Sequence, residues 1–270
     1  MINDFEVILH RGHNQSRGEN SLAGIEEIRA LDKNFMIEVD VCITADDTPI
    51  LFHDLTLDRL CGTSGIVMET NFADLGPRSD GEPIARLVDA LERYPGQKFL
   101  LDLRTHVHAD FMRGSSISPE SLEPALNKIV PAVKDLLTPA HRSNIRLVAG
   151  NPDHRAVLME AFPDFEVDIP EQFSRDYLQY LSDHTDASIL GPNVRRMYIR
   201  FREIKPEIIT WAHQMGLKII ANHAPSQRSL ENSRMMLNKS LEWGMDGLTT
   251  SPIDTYFLDT WRDRKMIGAV

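Results

Sequence analysis

Short runs of apolar and β-branched residues recur along the chain, and most are followed by a segment in which apolar residues repeat with helical spacing. This alternation is typical of parallel strands that are joined by helices. The predicted strands are residues 6–9, 35–43, 98–103, 144–149, 165–169, 187–190, 218–221 and 246–250. Eight such units favour an α/β fold closed into a (β/α)8 TIM barrel, an architecture that needs roughly 250 residues.

The second unit departs from this regular pattern. An additional short strand is predicted at 49–53, and a loop-rich stretch from 60 to 83 precedes a short helix at 84–94. We therefore predict a single domain over residues 1–270 with an insertion at approximately 44–83. A doubly wound open sheet would show the same alternation, but no Gly-x-Gly-x-x-Gly sequence follows the first strand.

Capping residues place several of the helices. Asn20 or Ser21 can cap the first helix, and Ser118 with Pro119 opens a long helix that runs to Leu137. No linker, low-complexity tract or membrane span interrupts the predicted barrel.

Composition and charge narrow the classes of partner. The chain is 42% hydrophobic and 26% charged, its mean hydropathy is -0.27, and its formal net charge is -11. A negative chain has no long-range attraction to a nucleic acid backbone, so we expect a small-molecule substrate and no nucleic acid. The first nine residues contain Asp4 and Glu6 where a signal peptide needs positive charge, which predicts a cytoplasmic protein. Cys42 and Cys61 are expected to be free thiols.

The second predicted strand carries two acids on one face. Apolar residues occupy every second position from Ile37 to Ile43, so the period of two puts Glu38, Asp40 and Cys42 together on the other face. Adjacent carboxylates inside a barrel would repel each other unless a cation or a proton intervened. A hard divalent metal ion resolves that conflict, because such ions prefer oxygen ligands.

Further polar groups fall at the ends of predicted strands, where barrel enzymes place their active sites. Asp102 and Arg104 share one face of the third strand, so Asp102 can supply a third carboxylate. His10 and Arg11 end the first strand, and His53 ends the additional short strand.

Each of these residues also has a structural interpretation. A histidine at a strand end is more often a hydrogen-bonded structural residue than a catalyst, and Glu38 with Asp40 could pair with Lys or Arg in a barrel network. Asp102 with Arg104 could equally form a salt-bridged rim. The neighbouring histidines at 106 and 108 are interpreted as solvated loop residues, and Cys42 as an inert buried thiol.

An ordered set of motifs resembles the glycerophosphodiester phosphodiesterase family. The matching residues are His10-Arg11-Gly12, Glu19-Asn20-Ser21, Glu38-Val39-Asp40-Val41, Thr44, Pro49, His53-Asp54, Leu57, Arg59 and Gly65. The resemblance is dense over residues 8–65 and looser through 83–91, 100–104 and 244–251. It implies a (β/α)8 barrel that uses magnesium or calcium.

The resemblance also implies roles for individual residues. His10 and His53 correspond to the catalytic histidines, Glu38 and Asp40 to metal ligands, and Arg11 to a residue that contacts the phosphate. The family's third ligand is usually a Glu followed two residues later by Lys, whereas this chain has Asp102 and Arg104. An Asp in that place is also similar to the related sphingomyelinase D group, although the His10-Arg11-Gly12 opening fits the glycerophosphodiester branch better.

The C-terminal half departs from the family's pattern. Ala149-Gly150 stands where the family has Ser-Phe, Ala221-Asn222-His223 replaces a Trp-Thr-x-Asn strand end, and Thr250-Ser251 replaces Thr-Asp. Loss of two aromatic side chains leaves space, and Asn222 and His223 add polar contacts to the substrate. The hypothesis is an alcohol group bulkier or more polar than usual, such as a sugar or polyol.

The resulting mechanism is a metal-dependent cleavage of a phosphodiester into a phosphomonoester and an alcohol. Mg²⁺ or Ca²⁺ is held by Glu38, Asp40 and Asp102, while Arg11 and Arg104 share the phosphate charge. His10 is assigned as the base and His53 as the acid. A cyclic phosphate product, a synthase or transferase reaction, and a noncatalytic phosphodiester sensor remain alternatives, and the oligomeric state stays open.

Overall fold

The computed structural model describes residues 5–12, 17–107, 115–118, 125–149, 152–169, 195–222 and 229–267. The strands within these ranges are β1 (Glu6–Leu9), β2 (Met36–Ile43), β3 (Pro49–Leu51), β4 (Lys98–Leu103), β5 (Ile145–Ala149), β6 (Glu166–Val167), β7 (Arg196–Arg200), β8 (Lys218–Asn222) and β9 (Gly247–Thr250). The α-helices are α1 (Leu22–Leu31), α2 (Asp58–Cys61), α3 (Leu87–Arg93), α4 (Leu126–Leu136), α5 (Pro152–Ala161), α6 (Pro206–Gln214), α7 (Leu230–Glu242) and α8 (Thr255–Ile267). Single 3-10 turns lie at His10–Gly12, Val67–Glu69, Phe72–Asp74, Pro139–His141 and Phe201–Glu203.

The strands form one curled sheet in the order β6-β5-β4-β2-β1-β9-β8-β7, and β3 pairs with β2 off this path. All pairings along the path are parallel, whereas β3 is antiparallel to β2. The outermost strands β6 and β7 also meet, because Ile169 forms a parallel bridge with Met197. Backbone hydrogen bonds of 3.0 Å from Ile169 N to Arg196 O and 3.1 Å from Tyr198 N to Ile169 O make this junction. The predicted α/β barrel is confirmed.

The alternation of side chains along the strands builds two separate layers. On β2 the residues Ile37, Val39, Val41 and Ile43 are buried in the main apolar core, together with the apolar faces of the helices. The barrel interior holds a smaller apolar cluster of Ile8, Leu100, Val148, Tyr198 and Ile220. A packed interior is typical of this architecture, so polar groups above and below that cluster belong to opposite ends of the barrel.

Residues between β2 and α3 form the predicted irregular segment. It contains β3, α2 and two 3-10 turns, and its apolar side chains surround a small core of their own. That core consists of Cys42, Ile50, Phe52, Leu57, Leu60 and Val67. The segment therefore packs against β2 near Cys42. His53 lies in this segment, so it is held at the end of the barrel where β2 terminates.

Two sequence predictions differ from the observed elements. Strand β7, Arg196–Arg200, was not predicted, and the segment predicted as the sixth strand, 187–190, lies outside the described residues. The long helix predicted from Ser118 is seen as α4 from Leu126 onward, and 119–124 also lies outside the described residues. The predicted extent of one domain over 1–270 stays a prediction.

The first helix begins as its sequence predicts. Ser21 is the N-cap of α1, and its hydroxyl accepts a hydrogen bond of 3.0 Å from the Gly24 backbone N–H. This bond satisfies one of the N–H groups that a helix leaves unpaired at its start. Among the described helices, none has the length and apolar character needed to cross a bilayer.

Candidate active site

The C-terminal ends of β1, β2 and β4 bring the predicted residues together. Asp40 and Asp102 are register partners on the adjacent strands β2 and β4. His10 and Arg11 directly follow β1, and β1 pairs with the edge of β2 that lies opposite β4. Neighbouring parallel strands end at the same edge, so side chains from separate parts of the sequence converge there.

Three carboxylates form a compact cluster at this edge. Each of Glu38, Asp40 and Asp102 offers an oxygen, and these oxygens all lie within 4.8 Å of one another. Glu38 and Asp40 are buried, and the Asp102 side chain is 20% exposed. Burial and the neighbouring Glu38 carboxylate raise the pKa of Asp102 well above its usual range. Such a cluster is the oxygen-rich ligand set that a hard divalent cation requires.

The turn after β1 supports one of these carboxylates through the backbone. Arg11 has a left-handed conformation with φ of 55°, and its N–H donates a hydrogen bond of 2.6 Å to Glu38 Oε2. Gly12 is also left-handed, and a Cβ there would lie 3.2 Å from Ile25 and 3.3 Å from Val39. Glycine is the residue that accepts this conformation at no steric cost. The His10-Arg11-Gly12 sequence therefore shapes the turn as well as supplying side chains.

Asn20 fixes the position of Asp40 with both ends of its amide. Its Nδ2 donates a hydrogen bond of 2.7 Å to Asp40 Oδ2, and its Oδ1 accepts one of 2.9 Å from the Asp40 backbone N–H. Both residues are fully buried. The Asn20 backbone N–H in turn donates to the Arg11 carbonyl oxygen over 2.6 Å. The Glu-Asn-Ser motif thus connects the turn after β1 to the carboxylate cluster.

His53 belongs to a chain of ionic hydrogen bonds. Its Nδ1 lies 2.5 Å from Asp54 Oδ1, and Arg59 donates to both oxygens of Asp54, from Nε over 2.6 Å and from Nη2 over 2.8 Å. Arg59 Nη2 also donates to Glu19 Oε1 over 2.6 Å, and Glu19 accepts two bonds of 3.2 Å from Arg11. The chain therefore orients His53 and Arg11 together.

Burial and charge set the protonation states in this chain. Burial lowers the pKa of His53 to about 4, and the positive charge of Arg11 acts in the same direction, while the hydrogen bond to Asp54 opposes both. Burial acts against the charged forms of Glu19 and Asp54, yet their arginine partners hold the pKa of each below its usual range. At neutral pH, His53 is therefore neutral and donates from Nδ1 to an ionised Asp54.

His10 lies on the other side of the carboxylate cluster. Its Nε2 is 4.0 Å from Glu38 Oε2, and its side chain is 16% exposed. The two histidines therefore differ, since one is neutral and held by an aspartate, whereas the other faces a carboxylate.

Arg104 contacts the acids rather than standing apart from them. Its Nη2 forms a very short ion pair with Asp40 Oδ1, and its Nη1 lies 3.0 Å from Asp102 Oδ2. Arg11 also approaches Asp40, with its Nε 3.5 Å from Oδ2. The salt-bridge interpretation of Asp102 with Arg104 is therefore realised in the structure, beside the close approach of three carboxylates.

Residues predicted to line the substrate pocket are only partly described. Asn222 ends β8 and is half-buried, whereas Gly150, His108 and the predicted phosphate contact His223 lie outside the described residues. Thr250 has its hydroxyl 2.7 Å from Ser233 Oγ on α7, so it faces the helix layer.

The interpretation of His106 as a solvated histidine is wrong. His106 is half-buried, its ring nitrogens are inaccessible to solvent, and it lies edge-to-face with His154 at 6.3 Å between ring centres. His154 Nδ1 is 2.8 Å from Thr105 Oγ1, which anchors α5 to the end of β4. Cys42 is buried as expected, its thiol is 3.1 Å from the Phe52 carbonyl oxygen, and burial raises its pKa.

Comparisons with known proteins identify relatives of this chain. Residues 10–92 match the model of the glycerophosphoryl diester phosphodiesterase family, and this segment contains both histidines and two of the three acids. A glycerophosphodiester phosphodiesterase of Caldanaerobacter subterraneus is 21% identical over 260 residues, which cover 92% of this chain and 95% of that protein. Together, the family model and this relative support membership of the glycerophosphodiester phosphodiesterase family.

Another relative within the family matches over a shorter span. YhdW of Bacillus subtilis, provisionally named a glycerophosphodiester phosphodiesterase, is 31% identical over 110 residues. The match covers 37% of this chain and 45% of that protein, so the chain spans less than half the length of this relative.

Solved structures of glycerophosphodiester phosphodiesterases share the fold over nearly the whole chain. The protein from Agrobacterium tumefaciens has a TM-score of 0.67 at 18% identity and covers 96% of this chain and 99% of its own. A phosphodiesterase from Oleispira antarctica, solved in complex with the product sn-glycerol-3-phosphate, has a TM-score of 0.67 at 18% identity, over 91% of this chain and 92% of its own. These likenesses confirm the predicted barrel fold.

Proposed function

We propose that the chain is a phosphoric diester hydrolase that cleaves a glycerophosphodiester-like substrate into a phosphomonoester and an alcohol. One observation carries the proposal: His10 lies beside a cluster of three carboxylates, and His53 is joined to Arg11, the neighbour of His10, through Asp54, Arg59 and Glu19, at the barrel end where such enzymes act. Membership of the phosphodiesterase family supports the same reaction class. The bound product of the Oleispira antarctica relative supports sn-glycerol 3-phosphate as the phosphomonoester.

A divalent metal ion fits the residues at this end of the barrel. Glu38, Asp40 and Asp102 would hold it, since their oxygens converge and the buried Oδ1 atom of Asp102 has no hydrogen bond among the described residues. When bound, the cation supplies positive charge to a nonbridging phosphate oxygen. The family supports Mg²⁺ or Ca²⁺, as the sequence predicts. Arg104, which contacts two of these acids, would share the phosphate charge, as the sequence predicts.

The arginine next to His10 is the proposed phosphate ligand. Arg11 is anchored by Glu19, and its planar guanidinium matches the oxygens of a phosphate group. Because the same glutamate also binds Arg59, the Arg11 side chain is held in place before substrate arrives. Such preorganisation makes a charged contact effective in the transition state.

The acid and base roles are proposed in the reverse order of the tentative assignment from sequence. A neutral His53 that donates from Nδ1 to Asp54 presents Nε2 as a proton acceptor, so it suits removal of the proton from the attacking hydroxyl. His10, which lies beside Glu38, is then the proposed donor of a proton to the departing alkoxide. Both assignments stay proposals until each histidine is changed separately.

The remaining alternative reactions differ in which hydroxyl group attacks the phosphate. If water attacks, the product is an open phosphomonoester; if a substrate hydroxyl attacks, it is a cyclic phosphate, as in sphingomyelinase D-like lyases. A synthase or transferase would use an added alcohol, and a sensor would bind without turnover. The departures in the C-terminal half support an alcohol group bulkier or more polar than choline or ethanolamine, with Asn222 and His223 as its proposed contacts.

The test is an assay of the purified protein against a panel of phosphodiesters with Mg²⁺, Ca²⁺ or EDTA in water enriched in oxygen-18. The panel contains glycerophosphocholine, glycerophosphoethanolamine, and sugar and polyol phosphodiesters, each with and without an added sugar acceptor. Metal-dependent cleavage with one heavy oxygen in the phosphomonoester is the expected result. A cyclic product, or a new diester with the acceptor, would instead identify a lyase or a transferase.

Binding without any turnover across the panel would contradict the proposal and favour the sensor. Better turnover of glycerophosphocholine or glycerophosphoethanolamine than of every sugar or polyol diester would contradict only the substrate hypothesis.

A further inference from the structure

The opposite end of the barrel encloses a separate cavity. It has a volume of about 430 Å³ and is lined by the first residues of seven strands. Register pairs at these strand starts, such as Arg146 with Glu166 and Arg196 with Lys218, lie in its wall. The apolar interior cluster separates this cavity from the carboxylates at the other end. Its volume falls in the range of small-molecule sites, roughly 300–1,000 Å³.

Basic side chains dominate the lining of this cavity. Five basic residues line it, against two acidic ones. The basic residues are Lys98, Arg142, Arg146, Arg196 and Lys218, and the acidic residues are Glu6 and Glu166. The chain as a whole carries a formal charge of -11, so this local excess of positive charge is opposite to the average of the molecule. Concave surfaces of one sign concentrate counter-ions of the other sign.

Arg146 lies at the buried base of the cavity. Its side chain is 5% exposed, and none of its guanidinium nitrogens has a hydrogen bond with acceptable geometry among the described residues. Its Nη1 lies 2.9 Å from Glu6 Oε2 and 3.7 Å from Asp168 Oδ2, so its charge is balanced while its donors are left unsatisfied. Leaving buried donors unsatisfied is costly, and native proteins rarely do so without a ligand or water.

The nearby acids are already shared between several partners. Glu6 receives bonds of 2.9 Å and 2.7 Å from Arg196 as well as the ion pair with Arg146. Asp168 accepts a hydrogen bond of 2.9 Å from the Tyr198 hydroxyl. At the rim, Lys98 is exposed and forms no ion pair within the described part of the chain. Arg142 and Arg196 are likewise paired, with Asp164 and Glu166, so the acids leave the donors of Arg146 and the Lys98 ammonium group for a ligand.

We infer that this cavity binds a small polyanion of the phosphate or polycarboxylate class. Arg146 supplies a planar guanidinium at the base, which suits two oxygens of one anionic group. Lys98 and Lys218 supply point charges nearer the opening, which suit a second anionic group. The inference concerns the barrel end remote from His10 and His53, so it does not depend on the proposed hydrolase reaction.

The direct test is to locate a probe anion in crystals of the full chain. Crystals are soaked in sodium selenate, whose selenium atom is visible by anomalous scattering. We expect a selenium peak against the guanidinium of Arg146. Water molecules on Arg146 with no selenate in the cavity, at a concentration that fills the active site, would overturn the inference. The cluster would then be a network of ion pairs that only stabilises the barrel.

A solution experiment attributes binding to this end of the barrel. Inorganic phosphate, sulfate and citrate are titrated separately in EDTA by calorimetry, with sodium chloride matching the ionic strength. The double variant Lys98→Met/Lys218→Met is expected to weaken binding about tenfold or more, since each lost ionic contact removes a charge-assisted bond. Lys134→Met on α4 is the matched control and should bind as the unmodified chain does. Equal binding by the double variant and the control would overturn the inference.

Glu6→Gln provides a test with the opposite sign. This change removes the internal carboxylate that Arg146 and Arg196 share, so the chain should become less stable without added anion. Phosphate or citrate should then raise its melting temperature more than that of the unmodified chain. An equal or smaller rise would contradict the inference even if the variant folds well.

Discussion

The two ends of the barrel are both rich in buried charge, but the excess has opposite signs. At the C-terminal ends of the strands, Glu38, Asp40 and Asp102 crowd together, whereas at the other end the cavity around Arg146 is lined by five basic and two acidic residues. An apolar layer lies between them. Gathering like charges in a buried place is costly, so each end indicates a ligand of the opposite charge. On the two proposals above, one scaffold would hold a cation at one end and an anion at the other.

Substitution of either active-site histidine is expected to have the largest effect, and a histidine at the remote end of the barrel should not share it. His53→Ala or His10→Ala should lower kcat/KM by about 10²- to 10⁴-fold, because each change removes a group that transfers a proton. His213→Ala is the matched control, since His213 is 43% exposed and pairs with Asp246 just before β9, at the remote end. Steady-state kinetics on one cleaved diester measures all three variants. Full activity in either active-site variant would break the proposed division of the barrel.

Lowering the pH should destabilise the protein through the catalytic end. Below the ordinary histidine pKa of about 6.5 the unfolded chain binds a proton at His53, whereas the folded chain does so only near pH 4. The unfolded state thus binds more protons in this window, so stability is lost as pH falls from 6.5 to about 4. The loss from this residue is at most about 3 kcal/mol.

Urea unfolding at pH 7 and at pH 4.5 measures this loss. The His53→Gln variant is the control, because other groups titrate in the same interval and only the difference between the two proteins reports on His53. The same drop in both proteins would show that the pKa of His53 is not lowered.

Metal binding tests whether the acidic end of the barrel accepts a cation. Mg²⁺ or Ca²⁺ at about 100 times its Kd should raise the free energy of unfolding by about 2.7 kcal/mol. Glu38→Gln should remove most of this gain, whereas Glu92→Gln on the exposed face of α3 should keep it. Thermal unfolding in buffer with each metal or with EDTA gives the answer. A gain that survives Glu38→Gln would place the cation elsewhere.

The smallest effect concerns a residue that positions others without contacting substrate. Arg59→Met should lower kcat about tenfold with little change in KM, because Asp54 and Glu19 lose the cation that links them. Arg59→Lys should recover part of the rate, and Arg86→Met, which breaks an exposed ion pair with Asp89, should change nothing. A pH profile that is identical in Arg59→Met and the unmodified chain would indicate a purely structural role for Arg59.

Much of the fold followed from local pattern. On β2, a strict alternation of apolar and acidic residues predicted both the strand and its inward face, and Asp40 pairs with Asp102 as a shared site requires. Strand β7 was missed because its apolar run is only three residues long and is flanked by Arg196 and Arg200. Arg196 is paired with Glu6 and Glu166 from other strands, and no local pattern in the sequence shows those partners.

The residues of the candidate site could be predicted from the sequence, whereas the hydrogen bonds and ion pairs between them were harder to predict. His53, Glu38 and Asp102 could be proposed from strand ends and family motifs, but the bonds that join Asp54, Arg59 and Glu19 link residues up to 40 positions apart. The ion pair of Arg104 with Asp40 likewise depends on the spacing of two strands. Sequence periodicity states which face a residue occupies, and three-dimensional packing decides which neighbour it meets there.

The hydrogen bonds of Asn20 also affect how long the active site stays chemically intact. Hydrolysis of its amide to a carboxylate, a common form of protein ageing, would replace the donor that Asp40 requires with a second negative charge. That hydrolysis needs water and a mobile backbone, and Asn20 is fully buried with its N–H and side chain both held by neighbours. The same bonds that position the Asp40 carboxylate are therefore expected to slow the hydrolysis of Asn20.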